Sequence, residues 1–138
     1  MRHVLFVALL MGLTACAGTD DLGRGKTGKS FMVQGRSYDQ VWDAARSAVL
    51  EQTGDQALEV EKNLHIQRED KARGEIIAST GMSFLSWGEV VGIYIDPPQN
   101  APMYRVEVES RTKMQTNVFA NNWEDEIIAD IKRKLAVQ

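Results

Sequence analysis

A chain of 138 residues has room for one domain, and its 43% hydrophobic and 25% charged residues are those of a globular protein rather than a disordered or fibrous one. A formal charge of −3 offers no basic footprint for nucleic acid, and a single cysteine excludes any disulfide within the chain.

The chain starts with a short polar segment, Arg2 and His3, followed by an apolar run from Val4 to Met11 that closes on Gly12. That run is too short to cross a hydrocarbon layer of ~30 Å, which takes ~20 apolar residues as a helix. Its length suits the hydrophobic region of an export signal. The residues that follow, Leu13-Thr14-Ala15-Cys16, resemble the bacterial lipobox: an aliphatic residue, two small ones, then cysteine. The resemblance implies that the signal is cut before Cys16, that the Cys16 thiol receives a diacylglycerol, and that the new amine is acylated, palmitate-like chains serving as the anchor. Each buried CH₂ contributes ~0.8 kcal/mol; one chain is marginal, whereas two or three hold a protein on the membrane. Ala17 stands where an aspartate would resemble an inner-membrane retention signal, so the implied address is the periplasmic face of the outer membrane. Residues 1–15 are therefore read as a lipoprotein signal peptide. Their removal costs one basic residue, Arg2, and leaves 15 basic against 19 acidic residues. A mature chain of that balance has no polybasic segment for gripping anionic lipid.

Residues 16–29 are expected to be the lipidated cysteine and a flexible tether. Ala17 to Lys29 holds four glycines and almost nothing apolar, too little to offset the entropy of ordering. Residues 30–138 are expected to form a single α+β domain. Ser30 to Gln34 reads as a strand. Ser37 to Gln40 fits a capping box, and Tyr38, Val41, Trp42, Ala45 and Val49 then recur at helical spacing, with Gly54 placed to end the helix. Leu58 and Val60, then Leu64 and Ile66, alternate with polar residues as in a strand, and Asp70 to Gly74 is a turn into a second strand, Glu75 to Thr80, paired with 64–69. Gly88 to Asp96 is β-rich, and Pro97 to Pro102 interrupts it before Met103 to Met114 resumes. In this last strand Tyr104, Val106 and Val108 share one face, and Arg105, Glu107 and Glu109 the other. Asn121 or Asn122 can cap a closing helix whose apolar stripe is Trp123, Ile127, Ile128, Ile131 and Leu135. Its first turn is acidic and its last basic, both favourable to the helix dipole.

The order β-α-β-β-β-β-α predicts an antiparallel sheet with two helices packed on one face, a helix-grip-like arrangement. This order, with Tyr38, Asp39, Val41 and Trp42 opening the first helix and Trp123 opening the last, resembles the helix-grip domains of the BamC lipoproteins of the barrel-assembly machinery. It is similar as well to many small proteobacterial lipoproteins. The chain lacks the long N-terminal region and second domain of BamC, so the resemblance implies a fold and not a role in barrel assembly.

A search for chemistry finds little. His65, the one histidine beyond the signal, is read on the polar face of a strand and cannot build a zinc site alone. Glu59 with Glu61, and Glu107 with Glu109, share strand faces as the carboxylate pair of a hydrolase does, but both pairs are read as ordinary solvated sheet face. Gly23-Arg-Gly-Lys-Thr-Gly28 lacks the spacing of a phosphate loop and follows no strand, so it is read as linker. Between Gly81 and Gly88 the apolar residues Met82, Phe84, Leu85 and Trp87 are either a strand entering the core or an exposed loop that meets a partner or lines a ligand cleft. With no catalytic set, no metal ligands and no cofactor motif, the expectation is a non-enzymatic envelope lipoprotein. It would be held to the membrane by Cys16 and would act through an envelope protein partner, without nucleic acid. The alternative is a small-ligand or lipid-binding module with a cleft near residues 81–87.

Overall fold

The computed structural model of the chain describes residues 22–25, 27–52, 63–81, 88–112 and 123–138. Its elements run in the order β1 (Lys29–Gln34), α1 (Tyr38–Glu51), β2 (His65–Asp70), β3 (Glu75–Ser79), β4 (Glu89–Asp96), β5 (Met103–Thr112) and α2 (Trp123–Leu135). The five strands make one antiparallel sheet in the order β1-β5-β4-β3-β2. The fold is α+β, with the expected order of elements. The first and last strands in sequence meet at one side because β5 returns beside β1, pairing Phe31 with Val106 and Val33 with Tyr104.

Period-two alternation sends Val33 of β1, Ile76 and Ala78 of β3, Val91, Ile93 and Ile95 of β4, and Tyr104, Val106 and Val108 of β5 to one face. There they pack against the buried stripe of α1 (Tyr38, Val41, Trp42, Ala45, Ala48, Val49) and that of α2 (Trp123, Ile127, Ile131, Leu135). Tyr38 is the pivot of an aromatic group, its ring centre 6.4 Å from Trp42 and 6.1 Å from Tyr104. The helix ends follow from their sequences. Ser37 accepts from the Gln40 amide while the Gln40 side chain accepts from the Ser37 amide, the reciprocal capping box. At the other helix, Arg36 donates to the Leu135 carbonyl at 2.6 and 3.0 Å, and Val137 donates to Lys132, closing the last turn.

Two differences from the sequence reading matter. The helix stripe includes Ile128 only half-buried, at the edge of the core. More important, order begins before Ser30: residues 22–25 and Thr27, assigned to the flexible tether, lie across the face of the sheet opposite the helices, and β1 opens at Lys29. The expected Gly54 stop, the alternation of Leu58 and Val60, and the Asn121 or Asn122 cap lie outside the described residues.

Candidate functional site

The face of the sheet turned away from the helices carries Glu75 and Ile77 of β3, Val90, Gly92 and Tyr94 of β4, and Arg105, Glu107, Glu109 and Arg111 of β5. On sequence alone this is a solvated face. The structure corrects that: Glu107 and Glu109 retain 1% and 0% of their exposure, and Glu75 8%. The cover is made by Leu22, Gly23, Arg24, Gly25 and Thr27, which lie over the sheet as a strap.

The strap is held by its backbone as much as by its side chains. Leu22 fills an apolar depression formed by Ile77, Val90 and Tyr94. The Gly23 amide donates to Glu109 at 2.9 Å, and the Gly25 amide donates to both oxygens of Glu107 at 2.8 and 2.9 Å. Thr27 adds its hydroxyl to Glu109 at 2.8 Å. Gly25 sits at φ 70°, a left-handed conformation that favours glycine, and this turn aims its amide at Glu107, the device by which glycine-rich loops hold anions. Here the anions are the protein's own. Burial of a charge costs heavily unless it is paired and hydrogen-bonded, and each of these carboxylates is. Arg111 donates twice to Glu109, at 2.9 and 3.0 Å, and Arg105 pairs with Glu107 at 2.8 Å.

For Glu109 the largest single influence is burial, which opposes its charge. The Gly23 amide, the Thr27 hydroxyl and Arg111 together outweigh it and hold the carboxyl below its ordinary value. It is a fixed anion at neutral pH and not a general acid. Glu75 is similarly engaged, accepting from two nitrogens of Arg68 at 2.7 and 3.1 Å. On the helix side, the buried Glu89 accepts from the Trp123 indole at 2.8 Å, joining β4 to α2.

Arg24 and Tyr94 complete the face. The Arg24 guanidinium lies 5.5 Å from the centre of the Tyr94 ring, pairs with Asp96 and donates to the Arg73 carbonyl. The Tyr94 ring lies along the strand over Gly92, where a Cβ would stand 2.8 Å from the tyrosine oxygen. Burial, reinforced by the charges of Glu109, Glu75 and Glu107 and opposed by Arg24, pushes the Tyr94 hydroxyl up to about 12. It therefore stays a neutral hydrogen-bonding group. Beside it opens a cavity of about 370 Å³ lined by Leu22, Arg24, Arg68, Arg73, Glu75 and Tyr94. The guanidinium of Arg73 has no carboxylate partner among the described residues. A second hollow, of about 590 Å³, runs beside α1 and α2. Its one lysine, Lys134, is engaged by Glu51 at 2.6 Å.

Of the residues singled out from sequence, Cys16 and the apolar group Met82, Phe84, Leu85 and Trp87 lie outside the described residues, as do Glu59 and Glu61. His65 is exposed on β2, one of the two edge strands, as read. Among the described residues no three histidine, cysteine or carboxylate side chains gather as metal ligands, and no helix is long and apolar enough to cross a membrane. Glu107 and Glu109 are named from sequence but read as solvated, and Gly23, Gly25 and Thr27 are read as linker; the structure brings them together. Their signal is the arginine-x-glutamate-x-glutamate-x-arginine run from Arg105 to Arg111, which places four alternating residues of opposite charge on one face.

No protein-family model, curated protein or solved structure matches the chain.

Proposed function

We propose that the chain is a lipid-anchored envelope protein, attached through Cys16 at the periplasmic face of the outer membrane, and that its domain works by contact with a protein partner rather than by catalysis. The observation that carries the non-catalytic reading is the saturation of the sheet's buried carboxylates. Among the described residues of the sheet, Glu75, Glu89, Glu107 and Glu109 have the burial a catalytic acid or base uses, and the buried Asp130 of α2 pairs with Arg133. Each glutamate is committed to an internal donor: Arg68, Trp123, the Gly25 amide with Arg105, and the Gly23 amide with Thr27 and Arg111. Their work is to hold the fold together. The lipobox supports the address, and the apolar composition of Met82, Phe84, Leu85 and Trp87, read from sequence, is of the kind that partners bury.

Two measurements test this. Metabolic labelling with a clickable palmitate analogue is expected to mark the wild-type chain and not Cys16→Ser, which is expected to leave the membrane fraction. In-cell photo-crosslinking from position 84 or 87 is expected to recover one protein reproducibly. A label that survives Cys16→Ser refutes the anchor, and crosslinking to no specific protein refutes the contact reading.

A further inference from the structure

The strap changes the geometry of anchoring, and the following rests on the lipidation of Cys16. Were residues 17–29 free, the domain could stand about 50 Å from its lipid. With Leu22 docked on Ile77, Val90 and Tyr94, only the five residues between Cys16 and Leu22 remain to span the gap, and those six Cα–Cα steps reach about 20 Å at full extension. The anchor therefore arrives at the strap-covered face of the sheet, and the helices lie on the far side.

That face is built in charge layers. Next to the sheet are the carboxylates of Glu75, Glu107 and Glu109, with side-chain exposures of 11%, 1% and 0%. Over them lie their arginines, Arg68, Arg105 and Arg111, exposed by 55%, 41% and 34%. The outer charges over β3 and β5 are cationic, although the chain as a whole carries −3, and the one exposed carboxylate of β4 on this face, Asp96, is paired with Arg24. Arg73 adds a guanidinium with no carboxylate partner among the described residues, at the cavity beside Leu22, where Arg24 and the Tyr94 hydroxyl also stand and where Glu75 is taken by Arg68. Met32 and Met103, two of the few large apolar side chains left exposed among the described residues, at 48% and 43%, belong to the same face. Guanidinium forks match phosphate oxygens geometrically, and apolar side chains beside basic ones suit the boundary between headgroups and acyl chains.

We infer that the strap-covered face of the sheet is a membrane-facing surface: the domain lies on the bilayer that anchors it, with a phospholipid phosphate taken by the Arg24–Arg68–Arg73 cavity and Met32 and Met103 turned to the lipid. The partner surface is then left to the side turned to the periplasm.

The test uses two forms of the mature chain. The lipidated protein, in nanodiscs of phosphatidylethanolamine and phosphatidylglycerol carrying a headgroup nitroxide, reports orientation through methionine methyl signals. Those of Met32 and Met103 are expected to broaden strongly, and that of a Leu50→Met reporter on the exposed side of α1 to stay sharp. Equal broadening at position 50 overturns the inference. The full-length mature chain with Cys16→Ser, titrated with vesicles of the same lipids, reports headgroup recognition without the anchor. Shifts are expected at Gly23, Arg24 and Arg73, with Arg73→Gln weakening the interaction roughly fivefold. Vesicle binding indifferent to Arg73→Gln, or a cavity that responds to inorganic phosphate and not to vesicles, overturns it. Failure of the anchor itself is seen separately, as an unmodified Cys16 in the mass of the N-terminal peptide, and leaves the vesicle result standing.

Discussion

Replacing Glu109 by glutamine removes one charge from beneath the strap and almost no volume. Glu109 accepts from the Gly23 amide, the Thr27 hydroxyl and two Arg111 nitrogens. Hydrogen bonds to a charged acceptor net about 1.5–3 kcal/mol against about 1 for neutral pairs, so the bonds that survive lose roughly 1 kcal/mol each. The glutamine NH₂ must also face one of the donors. The sum is about 3 kcal/mol, and since Arg111 is about a third exposed and can turn to water, about 2 kcal/mol is the better figure. The loss falls on the strap before it falls on the domain, because the helix-side core does not touch Glu109. Amide exchange at Gly23 and Gly25 is therefore expected to accelerate about thirtyfold, while the urea midpoint of the domain moves less than that energy implies. The substitution should also flatten the acid limb of stability. Glu109 is held below the ordinary carboxylate value, so its contribution is complete above pH ~4.3 and is lost as the pH falls through its own lower value. Unchanged exchange at Gly23 in Glu109→Gln would refute the account of the strap.

Three further outcomes are expected. Gly92→Ala drives the Tyr94 ring off the sheet, at a cost of about 1–3 kcal/mol, and in an alkaline absorbance titration it lowers the tyrosine that titrates near 12 toward its ordinary value. A raised folded value means that wild-type stability falls as pH rises from ~10, so this alkaline loss should shrink in the variant. Ala136→Gly, at a residue with φ of 51°, relieves left-handed strain and raises stability by about 1 kcal/mol in urea denaturation. Ser37→Ala removes the capping box of α1 and lowers stability by about 1 kcal/mol, while Ser37→Gly costs less.

The helices and the helix-facing side of the sheet were legible because period and burial agree there. Tyr38, Val41, Trp42, Ala45 and Val49 recur at helical spacing and are all buried, and Tyr104, Val106 and Val108 alternate into the same core. The candidate site was not legible, for one physical reason. Alternation assigns Glu107 and Glu109 to the face opposite the core, correctly, but says nothing about whether that face is covered. Cover came from a segment with one large apolar residue, Leu22, whose binding depends on backbone amides that every sequence has. A glycine-rich stretch is poor in side-chain signal for the reason that makes it a good strap: the left-handed turn at Gly25 that aims an amide at Glu107 needs a residue without a side chain.

That arrangement also sets how the protein bears load. If the lipid sits on Cys16, any pull between membrane and domain enters through Leu22 and the amides of Gly23 and Gly25 before it reaches β1. These attachments can give way while the five-stranded sheet stays whole, and their release lengthens the leash from about 20 Å to about 50 Å. The strap is a reserve of slack, stored flat against the sheet and recoverable once the pull ends.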